Sequence, residues 1–227
     1  VAVRNQALNR FGRKWLKPIA LVLLILPAVW ITAQWVLWLT GNPSTLGFNP
    51  VQTTHHFLGE TAIRILLVTL AIRPVKEITG YAPLMLLRRR VGLAAFFYAL
   101  AHLLAYFGAD LFFSLPALWA DVLDRTYITF GMAALVLLIP LAVTSTNGMI
   151  KRLGAMRWRR LHQLVYLIAV IAVIHHFFAE KGAQLGPWVH GAILAVLLGY
   201  RFVQFLMKKR RRRAAAARPA PADTGPA

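Results

Sequence analysis

The amino-acid sequence predicts an all-α, polytopic membrane bundle of six transmembrane helices with both termini in the cytoplasm. Three observations predict it. Of 227 residues, 59% are hydrophobic and only 15% charged, whereas a soluble domain needs roughly 25–35% charged residues on its surface. The apolar residues gather in six long runs. Lys and Arg, 26 against 7 Asp and Glu for a formal charge of +19, stand in blocks between those runs. A nucleic-acid binder would interleave its bases with polar residues, so the charge reads as the basic rim of a membrane protein and no nucleic-acid partner is expected.

The first run, Pro18 to Leu39, carries no formal charge. At about 1.5 Å per residue it slightly exceeds a hydrocarbon core of about 30 Å. It is too long for a cleaved signal peptide and lacks a small-x-small cleavage site. The later runs are His56 to Ile72, Val91 to Ala109, Thr126 to Val143, Leu161 to Ala179 and Pro187 to Met207. Glu60 and Arg64 interrupt the second. Four apart on one helical face, they are placed to form an ion pair turned toward protein rather than lipid. Arg201 in the sixth lies near enough to the end to extend its head to the interface.

Direction follows from the basic blocks. They occupy the N-terminus (Arg4, Arg10, Arg13, Lys14, Lys17), the second connection (Lys76, Arg88, Arg89, Arg90), the fourth (Lys151, Arg152, Arg157, Arg159, Arg160) and the segment from Lys208 to Arg213, while the odd connections hold only Arg125 and Lys181. Six crossings with both ends inside produce this alternation. The expected organisation is a basic N-terminus at 1–17, a transmembrane domain at 18–207, and a basic tail at 208–227 that becomes disordered after Ala214. Leu111 to Trp119 is expected to lie shallowly in the outer interface. The inner connections are short and lack a strand followed by Gly-x-Gly-x-x-Gly, so no nicotinamide-binding domain is encoded.

Zero cysteines exclude disulfides, thiolate metal sites and Cys-linked haem. The seven histidines carry the chemistry instead. Most lie in or beside apolar runs, where an unpartnered imidazole is costly. Given the direction, His102 on the third helix lies about 16 Å from the inner edge, and His175 on the fifth about 20 Å above His162. His56 and His190 begin at the outer side. Two imidazoles on facing helices at one outer depth, without cysteine or a dense carboxylate set, suit axial ligation of an iron porphyrin. Phe96, Phe97, Tyr98, Leu103, Leu104 and Tyr106 offer apolar surroundings. Zinc is the competing metal, but no His-Glu-x-x-His motif occurs.

A second, inner site would use His162. The facing positions on the third helix are Arg88 and Arg89, and a permanently protonated guanidinium is a poor iron ligand. On one ideal helix His162 and His175 point about 140° apart and His162 and His176 only about 40° apart, which favours His176 as the outer ligand. The other role for His162 is contact with cofactor propionates or lipid headgroups. Arg64 is a candidate propionate partner, against pairing with Glu60. The functional reading from another class is a six-helix transporter or assembly scaffold whose imidazoles bind substrate or pack helices.

Several stretches carry a combined pattern over roughly residues 15 to 207. They are His56-Phe-Leu-Gly59, Arg89-Arg90-Val-Gly92, Tyr98-Ala-Leu-Ala-His102-Leu, Leu141-Ala-Val-Thr-Ser145-Thr146, Arg152-Leu-Gly154, Trp158-Arg-Arg-Leu-His162-Gln-Leu-Val-Tyr166 and Ile174-His175. In these the sequence resembles the haem-binding membrane subunits of bacterial periplasmic methionine-sulfoxide reductase systems, the MsrQ group of the ferric-reductase-like transmembrane family. The resemblance implies a b-type cytochrome of the inner membrane. It implies electrons taken on the inner side from quinol or a cytoplasmic flavin reductase and passed to a periplasmic molybdopterin-dependent methionine-sulfoxide reductase. It also implies a flavin mononucleotide (FMN), for which no sequence pocket is evident. It makes His102 and His175 the ligands of an outer haem b, His162 the third family histidine and His56 a fourth match, and so opposes the rotational preference for His176. Arg88, where related two-haem proteins place a ligand, departs from the pattern.

Overall fold

A computed structural model describes residues 2–180 and 184–216. Among them the chain is helical throughout, with no strand. In order it forms α1 (Ala2–Leu39), α2 (Pro50–Thr79), a short 3-10 turn (Ala82–Leu86), α3 (Arg88–Ala105) continued by one π turn (Tyr106–Asp110), α4 (Leu115–Asp124), α5 (Thr126–Val143), α6 (Asn147–Leu153), α7 (Ala155–Leu161), α8 (Leu164–Ala179) and α9 (Leu185–Ala216).

Among the described residues, five stretches are long and apolar enough to cross a membrane: Arg10–Leu39, Arg88–Asp110, Thr126–Val143, Ala155–Ala179 and Leu185–Arg211. The second expected crossing is not among them. Its helix, α2, is long enough but carries Glu60 and Arg64 in its middle and is the helix most enclosed by the others, burying Leu58, Ile63, Leu66, Leu70 and Ile72. A central helix meets protein on several sides, so its sequence need not match the lipid. By contrast α1 exposes Leu21, Val22, Leu23, Leu26 and Val29, as a helix bathed in acyl chains does.

Local chemistry sets the helix ends. Asn49 caps α2 by accepting from the Gln52 N–H at 3.1 Å, with Pro50 in the first turn where its missing N–H costs nothing. Gly80, at φ 70°, closes it by donating to the Lys76 carbonyl. Ser114 caps α4 and Thr146 caps α6 in the same way. Helix α1 runs unbroken through the basic block that precedes residue 18. Helix α9 likewise continues through Lys208–Arg213 to Ala216. The rest of the tail expected to be disordered, and Lys181, lie outside the described residues.

Packing is organised as two principal helix pairs, α2 on α3 and α5 on α8. Ala95, Leu70, Leu138, Ile168, Ala169 and Leu194 meet in the core between them. Helix α1 is tied to this body by two polar links. Trp35 donates to Thr54 at 2.8 Å. The Tyr98 hydroxyl of α3 enters the backbone of α1 just after Pro27, accepting from the Ala28 N–H at 3.0 Å and donating to the Leu24 carbonyl at 2.7 Å. Those two groups would otherwise bond each other, so the tyrosine completes a ladder opened beside a proline.

The expected fifth helix is broken. Residues His162 and Gln163 separate α7 from α8, and the break is held by Trp158, whose indole donates to the Thr144 carbonyl at 2.9 Å. The rotational argument favouring His176 assumed one ideal helix, so it fails here. Beyond α3, the chain turns through Phe112 and Phe113, both at positive φ (49° and 60°), a conformation that costs a non-glycine residue of order 1–3 kcal/mol. Exposed Leu115, Trp119 and Leu123 then align along one side of α4.

Candidate metal centre between two helix pairs

A cavity of about 690 Å³ lies between the two helix pairs, within the range of cofactor pockets. His102 from α3 and His175 from α8 both line it. Their ring centres are 6.2 Å apart and their planes 72° from parallel. Two imidazoles on opposite sides of one metal ion, each bound through Nε2 at about 2.0–2.1 Å, hold their ring centres roughly 6.3 Å apart. The observed spacing is therefore that of a two-imidazole clamp.

Each ring is fixed by the same kind of bond. His102 Nδ1 lies 2.6 Å from the His55 carbonyl, and His175 Nδ1 lies 2.6 Å from the Tyr127 carbonyl. A carbonyl only accepts, so each Nδ1 carries the proton and donates it. That assigns the tautomer in which Nε2 keeps its lone pair, the arrangement usual in metal-binding histidines. Gly59 of α2 lies against the His102 ring and Gly131 of α5 against the His175 ring.

The other histidines have different surroundings. His56 lines the cavity but pairs with Glu180 at 2.9 Å, and His55 approaches Asp110 at 3.2 Å. His176 also lines the cavity, and its ring lies against that of His190, with ring centres 5.2 Å apart. Arg64 pairs with Glu60 on α2. Its side chain is 57% exposed, and Glu60, not Arg64, lines the cavity. The pair expected to face protein thus presents its guanidinium to the outside of the bundle, because the long arginine stem clears the helix surface.

His162 is far along the chain axis from this pair. Its Nδ1 donates to the Trp158 carbonyl at 3.0 Å, its ring stacks on the Trp158 ring at 3.9 Å, and its Nε2 lies 3.4 Å from the Ser145 hydroxyl. Arg88 is near enough to act on it electrostatically. Among the described residues, no group of three or more His, Asp or Glu side chains is arranged to hold a metal ion.

The walls differ from the aromatic lining expected on α3. Phe97 and Leu104 point outward, and Tyr98 is committed to α1. Only Leu103 and Tyr106 of that set line the cavity. Small residues, among them Ala62, Ala95, Ala99, Ala134 and Ala172, form much of the wall and so leave a broad slot. At the end of the cavity near Asp110, the π turn brings Tyr106 to donate to Asp121, which also pairs with Arg125 at 3.1 Å. Gly59, Gly131, Tyr127 and Glu180 were not nominated from sequence. The two glycines had a signal: each interrupts a helix, where glycine costs roughly 0.5–1 kcal/mol relative to alanine, and such a cost points to a close approach.

Comparison with known proteins supplies the lineage. Residues 58–173 match the family described as ferric reductase like transmembrane component, a span that includes His102 and His162. The chain is 45% identical over 189 residues to the protein-methionine-sulfoxide reductase heme-binding subunit MsrQ of Rhodospirillum rubrum, covering 83% of this chain and 88% of that one. The chain belongs to the MsrQ family. The MsrQ of Caulobacter vibrioides is 44% identical over 182 residues, 78% of this chain and 86% of its own. The magnetosome protein MamZ of Magnetospirillum gryphiswaldense is 40% identical over 83% of this chain, but over only 29% of its own longer length. With its apolar helices, this MsrQ-family chain is a multi-pass inner-membrane protein.

Proposed function

We propose that this chain is a b-type cytochrome subunit that conducts electrons outward across the inner membrane to a periplasmic molybdopterin-dependent methionine-sulfoxide reductase. The observation that carries the reading is the pair His102 and His175, facing each other across a cavity with Nε2 unprotonated on both. The names of the MsrQ relatives support haem as the group and methionine-sulfoxide reductase as the partner. In this reading α2 is a sixth crossing at His56 to Ile72, both termini are cytoplasmic, and the cavity mouth with Asp110, Asp121 and Glu180 opens outward.

His102 and His175 would hold the haem. The bound group would supply one-electron exchange between ferric and ferrous iron. The chain's residues do the rest. The His55 and Tyr127 carbonyls fix ring tautomer and tilt, the alanine walls admit a flat apolar group, and the enclosed α2 keeps lipid from the slot. His56 contributes to the rim through Glu180, and Arg64, paired with Glu60 in this structure, would have to turn inward to meet a propionate. Electrons enter at the basic inner face from quinol or a cytoplasmic flavin reductase, with FMN as an accompanying carrier. A second, inner haem, if the chain binds one, would use His162.

The test is a visible and electron paramagnetic resonance spectrum of the purified chain grown with ample haem. Low-spin bis-imidazole haem is expected, and it is expected to vanish from the outer site in His102→Ala and in His175→Ala. A folded, colourless protein would overturn the proposal in favour of a transporter or scaffold.

A further inference from the structure

The two ligand histidines are held by one device used twice. In α2 the ring of His102 bonds the carbonyl of residue 55 and lies against the glycine four positions later, Gly59. In α5 the ring of His175 bonds the carbonyl of residue 127 and lies against the glycine four positions later, Gly131. The spacing has a physical cause. Inside a helix the carbonyl of residue i−4 already accepts from the N–H of residue i. Its second lone pair can be reached only from the side, and there the Cβ of residue i, which tilts toward the N-terminus, overhangs it. Removing that Cβ opens the carbonyl to an incoming ring.

The clearances agree with this. A Cβ on Gly59 would stand 3.0 Å from His102 Nδ1 and 3.1 Å from its Cε1. One on Gly131 would stand 2.8 Å from His175 Cε1 and 2.9 Å from its Nδ1. Neither ring can retreat while keeping its 2.6 Å bond to the carbonyl. Two helical glycines serve for contrast: at Gly92 the nearest atom is Thr69 Cγ2 at 3.6 Å, and Gly199 faces open space.

We infer that Gly59 and Gly131 are positioning residues for the metal centre, each exposing a helix carbonyl that sets the tautomer and tilt of one axial imidazole. The inference rests on the reading of His102 and His175 as haem ligands and adds the device that aims them.

The experiment compares the full chain, purified in detergent, with Gly59→Ala, Gly131→Ala and the controls Gly92→Ala and Gly199→Ala. Haem per protein, the low-spin resonance signature and the midpoint potential are measured on each, with helix content as a check on folding. Gly131→Ala is expected to weaken haem binding about 10–100-fold, the effect of losing outer support to a metal ligand, and to alter the low-spin signature of what remains. Gly59→Ala should change the signature and potential in the same sense but less, since its clash is milder. The controls should match the parent. Wild-type haem content, signature and potential in both Gly59→Ala and Gly131→Ala would overturn the inference while leaving the haem reading standing. Should Gly131→Ala not fold, Gly59→Ala decides it by the same readouts. A parent chain without haem would end both.

Discussion

Replacing Tyr98 with Phe should loosen α1 from the bundle without touching the cavity. The hydroxyl makes two bonds to the α1 backbone, at 2.7 Å to the Leu24 carbonyl and at 3.0 Å from the Ala28 N–H. Tyr98 is buried, so no water replaces the lost partner. Leaving a buried donor and acceptor unmet costs about 1–3 kcal/mol each, and partial relaxation of α1 brings the sum to about 2–4 kcal/mol. For a chain of this length that corresponds to a fall in Tm of roughly 5–15 °C. The assay is thermal unfolding in one detergent, with a second variant, Pro27→Ala, to close the cycle. Without the proline, α1 can straighten and the Ala28 N–H can return to Leu24, so Tyr98→Phe should cost much less in the Pro27→Ala background. Equal Tm values for Tyr98→Phe and the parent, or an equal penalty in both backgrounds, would refute the account.

Two further outcomes follow from other parts of the molecule. His162→Ala should leave the spectrum assigned to His102 and His175 intact and remove only an inner component, measured as haem per protein; loss of the outer component instead would contradict the separation of the sites. At the C-terminal end of α2, the Arg73 guanidinium, bonded at 2.9 Å, holds the Glu77 carboxyl below the usual carboxylate range against a smaller opposing effect of burial. A lowered pKa stabilises the fold above the ordinary glutamate value of about 4.3 and loses that effect as pH falls through the folded value. Glu77→Gln should therefore lower Tm slightly near neutrality, by the about 0.2–1 kcal/mol of an exposed pair, with the difference shrinking in acid. A difference that grows as pH falls would reverse the assignment.

The membrane helices were legible because lipid forces the sequence to be apolar over a known length, and five of the expected runs became candidate crossings. Helix α2 was the harder one, since a helix surrounded by protein is free to carry Glu60 and Arg64. The approach of His102 to His175 was legible as depth, because rise per residue converts position into height once direction is known. The break at His162 was not, because it depends on the Trp158 indole finding the Thr144 carbonyl, and hydropathy runs evenly through the junction. The cavity walls were misjudged for a related reason. Aromatic residues on α3 looked like the natural lining, but a slot is made by what is missing, so alanines and glycines form it while Phe97 and Leu104 face outward.

Backbone carbonyls leave no mark in a side-chain pattern, yet they sort the histidines. Three rings donate Nδ1–H to a carbonyl: His102 to residue 55, His175 to residue 127 and His162 to residue 158. His55 and His56 face carboxylates instead, and His176 and His190 face each other. Donation of Nδ1–H to a carbonyl leaves Nε2 of the neutral ring as the atom that can meet a metal. On that criterion His102 and His175 are prepared as ligands, while Nε2 of His162 already lies 3.4 Å from the Ser145 hydroxyl. Only two of the three face each other, so the same argument that supports one centre at His102 and His175 requires any partner of His162 to come from something other than an opposing imidazole.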